Sequence, residues 1–252
     1  MTSKDPRLRG DDRQVAMKLG ILETGRPPEL LMAKHGSYAD MFKAGLERIR
    51  AGFQFTVYPV LENQFPKSIH EQDGWLITGS KCSAYEKQSW ILTLEEFIRE
   101  LDEHRIPTTG ICFGHQIIAQ ALGGKVEKYS GGWGVGLHTY SLQKKADKKV
   151  ITLNAMHQDQ VTIKPSAASC IASSEFCNHA GLQYGDHILT FQPHPEFSME
   201  FEKALLELRR GDIIPESTCD AALSTLTGSK IKTDGETVLA WIANFLKQKS
   251  TQ

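Results

Sequence analysis

The sequence predicts an α/β fold: one open, mostly parallel sheet with helices on both faces and small antiparallel additions. Two observations carry this expectation. From Lys18 onward, short apolar runs alternate with amphipathic helical stretches, the order that lays parallel strands side by side with helices crossing over them. After Lys125 the pattern changes to closely spaced β-rich runs with little helical period, which suits antiparallel strands. No linker or repeat divides the chain, so residues 17–252 read as one domain.

Each element follows from its own residues. Lys18 to Glu23 reads as the first strand. Ser37 to Arg50 carries Tyr38, Met41, Phe42, Leu46 and Ile49 in a helical stripe, with Ser37 and Asp40 able to cap its start. Phe55 to Leu61 and Trp75 to Thr78 are the next strands. Ser89 to His104 lines up Trp90, Leu94, Phe97, Ile98 and Leu101 on one helical face. Pro107 opens a strand from Thr108 to Cys112, which breaks at Gly114 into a helix from His115 to Leu122. Strand-like runs follow at Gly136 to Leu142, Val150 to Leu153, Ser169 to Ser173 and Ile188 to Gln192. Two helices close the chain, Met199 to Arg210 and Gly235 to Lys247. Thr233 and Glu236 have the spacing of a capping box, with Asp234 as the competing cap.

Composition bounds the function. With 40% hydrophobic residues in 252, the chain can bury a sizeable core. Its net charge of −1 supplies no overall field to attract a polyanion, which argues against nucleic acid as the main partner. The Lys144, Lys145, Lys148 and Lys149 run reads as a solvated loop. Five cysteines with no two-residue gap between any pair fit neither a zinc knuckle nor a disulfide framework, and point to a reducing compartment, the cytoplasm. No apolar run is long enough to cross a bilayer. Residues 1–16 are charged and lack an apolar middle, so they read as a disordered leader rather than a signal peptide.

Three segments carry chemistry. In Gly110-Ile111-Cys112-Phe113-Gly114-His115-Gln116, a cysteine sits at a strand-to-helix turn between two glycines. A nucleophile at such a tip adopts a strained backbone, and the glycines remove side chains that would collide. The helix that follows points its N-terminus at Cys112, which favours thiolate, and the Phe113 N–H is a natural oxyanion donor. The plain alternative is a glycine-rich turn around an inert buried cysteine. In Phe191-Gln192-Pro193-His194-Pro195-Glu196-Phe197, the prolines favour extended backbone, which projects His194 and Glu196 to one side as a base and its orienter. Standing alone, this segment reads first as a proline-stiffened loop with a surface histidine; the cysteine elbow makes that the minority reading. The third, Gly74 to Cys82, is a strand ending in a Gly79-Ser80 turn. In a parallel sheet that turn lies on the same rim as Cys112 and can offer a second backbone donor.

In this order and spacing, the three segments resemble class I glutamine amidotransferases of the cysteine–histidine–glutamate type. The likeness runs from about Lys18 to Ser198. It includes Ala121-Leu122-Gly123-Gly124-Lys125-Val126, Gly134-Val135-Gly136 and Met156-His157-Gln158-Asp159-Gln160-Val161. Within the family, the chain is most similar to free-standing members related to the amidotransferase domain of GMP synthase and to plant γ-glutamyl peptidases. The resemblance implies a flavodoxin-like sheet and a small-molecule substrate. Cys112 would attack the γ-amide of glutamine to form a γ-glutamyl thioester, releasing ammonia and then glutamate. His194 would shuttle the proton with Glu196 orienting it, and Gly79 and Phe113 would hold the oxyanion. Gln116, His157, Gln158 and Asp159 would contact the amino-acid end of the substrate.

Neither a cofactor nor a metal is implied. The turn Thr78-Gly79-Ser80-Lys81-Cys82 departs from the Gly-Gly-Pro turn common in the family, which leaves the second donor open. No phosphate-binding loop of the G-x-x-x-x-G-K-[ST] kind occurs. An ATP-dependent acceptor half would therefore be a separate synthase subunit. The alternative is a stand-alone γ-glutamyl peptidase or hydrolase. A binding protein with a dead site would have lost a triad member, and none is lost. An α/β-hydrolase would carry its acid on a separate segment before the histidine.

Overall fold

The computed structural model describes residues 16–143, 149–227 and 232–248. Apart from Ala16, the expected leader lies outside them, as do Lys144, Lys145 and Lys148. Strand β1 (Met17–Leu22) leads through α1 (Glu29–His35) and α2 (Tyr38–Arg48) to β2 (Phe53–Tyr58). Next come β3 (Gly74–Ile77), α3 (Ser89–Glu103), β4 (Thr108–Ile111) and α4 (Phe113–Ala121). The middle gives β5 (Lys125–Lys128), β6 (Gly134–Leu142), β7 (Val150–His157), β8 (Asp159–Ile163), β9 (Ala168–Ser173), β10 (Gly181–Tyr184) and β11 (Ile188–Phe191). Helices α5 (Met199–Arg209), α6 (Glu216–Thr227) and α7 (Gly235–Lys247) follow.

Among the described residues, nine strands form one sheet in the order β2-β1-β3-β4-β11-β10-β9-β6-β7, and β5 and β8 pair separately. From β2 to β11 every pairing is parallel; from β11 to β7 every pairing is antiparallel. The antiparallel strands, expected as small additions, thus continue the main sheet. The inner parallel strands β1, β3, β4 and β11 are short and almost wholly buried, whereas β2, at the sheet edge, is half-exposed. In β3, Trp75 and Ile77 join the core under α3 and α4, while Leu76 joins the core under α2 and α7. That alternation is what covers both faces.

The helices form where their patterns predict. Ser37 and Asp40 make a reciprocal capping box at α2, which buries Phe42 and Leu46 completely. Burying each of those side chains contributes roughly 1.5–3 kcal/mol. On the other face, α3 buries Trp90, Ile91, Leu94, Phe97, Ile98 and Leu101. The capping box expected at α7 does not form. Its cap is Asp234, which makes no capping bond there and instead accepts the Thr152 N–H at 2.8 Å, because β7 offers a nearer donor.

Two helices were not expected. Helix α1 buries no residue, so it has no stripe to read. The second, α6, is rich in serine and threonine. It is held by packing on β6 and by Arg210, whose Nε and Nη2 each reach an Asp220 carboxylate oxygen at 2.9 Å. Among the described residues, no helix is long and apolar enough to cross a membrane.

Candidate active site

The sheet brings three chain segments to one rim. Strand β4 is flanked by β3 on one side and β11 on the other, all parallel, so their carboxyl ends open together. Cys112 ends β4 and caps α4 with φ 54° and ψ −104°, a conformation that L-residues avoid. Such strain costs about 1–3 kcal/mol and persists only where the surroundings enforce it. Here the enforcement is visible. The Cys112 N–H donates to Phe191 O at 2.9 Å. A Cβ on Gly110 would meet Gly114 O at 2.5 Å, and one on Gly114 would meet Ile77 O at 2.3 Å. The bracket of glycines is therefore a condition of the turn.

Past β11, the chain continues to His194 along β7. The His194 N–H donates to Asn154 O at 2.8 Å, and the Asn154 Nδ2 donates to Phe197 O at 2.8 Å. Asn154 thus pins the segment on both sides of the imidazole. The His194 ring lies flat on Phe197, with centroids 3.9 Å apart. Its Nδ1 is 2.7 Å from Glu196 Oε1, and the ring lies close enough to Cys112 to feel its charge. Burial alone would lower the pKa of this imidazole. The charges of Glu196 and Cys112, with the Glu196 hydrogen bond, outweigh burial and push it up to about 10.

Gly79 closes the third side. A Cβ there would lie 3.2 Å from His194 Cε1 and 3.7 Å from Cys112 Cβ. Among the described residues, the N–H groups of Gly79 and Phe113 donate to no protein acceptor. Cys112, His194 and Gly79 therefore lie side by side, with Glu196 on the imidazole and Phe113 next in the chain to Cys112.

The remaining residues expected from the sequence form a network beside it. Gln116 is buried on α4, and its Nε2 donates to Asp159 O at 2.8 Å and to Gln192 Oε1 at 3.0 Å. The His157 Nδ1 bonds Asp159 O at 3.2 Å, and burial holds this ring's pKa down to about 3. It is a neutral ring, with its Nε2 left unpartnered. Gln158 is tied through its carbonyl to the Tyr129 N–H at 3.1 Å, and the Tyr85 hydroxyl lies 3.5 Å from Asp159 Oδ1. Met156 O, next in the chain to His157, is 3.9 Å from Cys112 Sγ.

His115 packs inward against Thr190 Oγ1 at 2.8 Å. Cys82 has no positive φ and lies beside Gln88 Nε2 at 3.7 Å, away from any elbow geometry. Among the described residues, no three His, Cys, Asp or Glu side chains cluster as ligands for a metal ion.

Two polar groups, one beside His194 and one on α5, have no counterpart among the expectations from sequence. Asn154 is one; in the sequence it is simply a polar residue just past the run expected as a strand. The other is Glu202 on α5, wholly buried, which accepts the Gly136 N–H at 3.1 Å. Burial pushes its carboxyl up to about 8, against the opposing pull of His194 and that N–H. One of three glutamates in an amphipathic helix gives no sign that it points inward.

With this geometry in hand, comparison with known proteins is decisive. The family model for class I glutamine amidotransferases matches residues 36–209. The chain belongs to the class I glutamine amidotransferase family. It is 30% identical over 212 residues to gamma-glutamyl peptidase 3 of Arabidopsis thaliana, covering 79% of this chain and 84% of that protein. It is also 30% identical over 154 residues to a glutamine-hydrolyzing GMP synthase-type protein of Leptospira interrogans, covering 58% of this chain but 24% of that one. Among solved structures, a glutamine amidotransferase from Thermotoga maritima superposes with a TM-score of 0.69 over 93% of this chain and 97% of that chain, at 19% identity. That likeness shows the shared fold. Membership of this family supports an enzyme of the amidotransferase type.

Proposed function

We propose that this protein cleaves γ-glutamyl amide bonds through a γ-glutamyl thioester on Cys112. The observation that carries the reading is the contact of His194 with both Cys112 and Glu196 at a strained elbow. The protonated imidazole beside the sulfur makes a nucleophile and a proton donor available together. The Cys112 sulfur attacks the γ-carbonyl carbon, and the carbonyl oxygen takes the negative charge between the N–H groups of Phe113 and the Gly79 turn. As the C–N bond breaks, His194 gives its proton to the leaving nitrogen. Water then attacks the thioester, His194 takes a proton from that water, and the C–S bond breaks to release glutamate. Glu196 holds the ring in the orientation both steps need.

Gln116 and the His157 to Asp159 segment flank this point and are the proposed contacts for the amino-acid end of the substrate. With Gln116 Nε2 already committed, its Oε1 is the atom free to accept from a substrate ammonium. The sequence alone set glutamine before γ-glutamyl peptides as the substrate. Likeness across most of both chains to a γ-glutamyl peptidase favours the second, in which the leaving group is an amino acid or peptide amine. The match to the GMP synthase-type protein leaves most of that protein uncovered, so the glutaminase reading requires a separate synthase subunit to take the ammonia. The five free cysteines are consistent with action in the cytoplasm.

A panel of γ-glutamyl compounds, including glutamine, assayed for released ammonia or amine tests this. γ-Glutamyl dipeptides should turn over faster than glutamine, and α-glutamyl peptides not at all. Turnover of glutamine alone would instead support the ammonia-supplying reading, and no release from any of them would end both.

A further inference from the structure

Thr24 lies just past β1, is buried, and has no part in the chemistry so far. Its Oγ1 is 2.8 Å from Thr78 O and 3.1 Å from Gly79 O, the two consecutive carbonyls of the turn that borders Cys112. Its N–H donates to Thr78 Oγ1 at 3.0 Å, and Thr78 Oγ1 in turn lies 3.3 Å from Gly79 O. Two hydroxyl hydrogens thus face two carbonyl oxygens. The Gly114 N–H adds a third donor, 3.1 Å from Thr78 O. The contact is close along its length, since a Cβ on Gly25 would meet both Gly79 O and Ser80 Cα at 2.8 Å.

In a trans peptide the C=O and N–H point to opposite sides, and no peptide bond described here is cis. Gathering the carbonyls of Thr78 and Gly79 on the Thr24 side therefore opens the N–H groups of Gly79 and Ser80 on the other. Successive N–H groups opening together form an anion-binding concavity. We infer that Thr24 is a positioning residue for the oxyanion: by holding the Thr78 and Gly79 carbonyls, its hydroxyl turns the N–H groups of Gly79 and Ser80 toward Cys112. This rests on the reading that Cys112 forms a tetrahedral γ-glutamyl intermediate.

The test uses the whole protein and γ-glutamyl p-nitroanilide. Thr24→Val removes the hydroxyl at nearly constant volume, and Thr24→Ser keeps it. For Thr24→Val, kcat should fall about ten- to a hundredfold, with KM within about threefold of the wild type. Alkylation of Cys112 by iodoacetamide, which needs the sulfur but no oxyanion donor, should keep its wild-type rate. Thr24→Ser should recover kcat to within about threefold. If Thr24→Val does not fold, Thr24→Ala carries the same expectations. Wild-type kcat without the hydroxyl overturns the inference. So does an equal fall in kcat and alkylation, because the elbow itself would then have moved. A wild-type protein inert toward every γ-glutamyl compound overturns the thioester reading and this inference together. An active wild type with an equally active Thr24→Val removes Thr24 alone.

Discussion

The two halves of the sheet contribute to the site in different ways. The parallel half, β2 to β11, supplies the sulfur and the turns around it, and glycines within those turns make room for them. Gly110 and Gly114 allow the Cys112 elbow, and Gly79 lets the next turn come within van der Waals reach of His194. The antiparallel half supplies groups that act across the fold. Asn154 on β7 holds the backbone on both sides of His194, and Gly136 on β6 donates to Glu202 on α5. Strained chemistry is thus written locally, while aiming and electrostatic balance are written between distant positions.

If that division is right, removing the local element should cost the most. Cys112→Ala should abolish turnover, a loss of at least about a thousandfold, with the far-UV circular dichroism unchanged. Several per cent of residual activity would break the assignment. Next comes the relay. His194→Asn should lose nearly as much, and Glu196→Gln less, about a hundredfold, because an orienter acts through the imidazole. In Glu196→Gln, the His194 pKa followed by NMR should move down from about 10, since a main upward pull is gone. An unmoved value would mean that Glu196 does not charge-pair with the ring.

The distant groups should give smaller effects on activity. Asn154→Ala leaves the buried Phe197 carbonyl without its donor and should cost about 1–3 kcal/mol of stability, read from urea unfolding. It should also lower kcat, though by less than Glu196→Gln does. Glu202→Gln should change activity least and show itself in stability. The Glu202 pKa is raised from 4.5 to about 8 on folding. Between those values the unfolded chain binds fewer protons than the folded one, so stability contributed by this group falls as pH rises through the window. A glutamine cannot ionise. The variant should therefore match the wild type near the lower value and gain a few degrees in Tm over it near the upper one. A pH-independent difference would show that Glu202 is not held neutral.

Legibility from sequence follows the same division. The inner parallel strands, α2, α3 and the elbow were readable because burial on both faces, helical stripes and a glycine bracket all leave local patterns. His194 and Glu196 were readable because two prolines and a two-residue spacing announce an extended segment. Helix α1 was not, since it buries nothing, and α6 was not, since Arg210 and packing on β6 outweigh its serines and threonines. Strand β10 is four residues long, and its pairing with β9 and β11 is what makes it a strand. The expected cap of α7 failed because Asp234 found its donor on β7. Thr24, Asn154 and Glu202 share one reason for being missed: each owes its role to a partner tens of residues away.

The central claim is that Cys112 alone forms the bond to the γ-glutamyl carbon. Incubation with a glutamine-mimicking diazoketone, followed by peptide mass mapping, addresses it directly. One equivalent on the peptide that carries Cys112, with loss of activity in step and protection by a γ-glutamyl dipeptide, is the expected result. Labelling at Cys82 or any other cysteine in step with inactivation, with Cys112 unmodified, would contradict it.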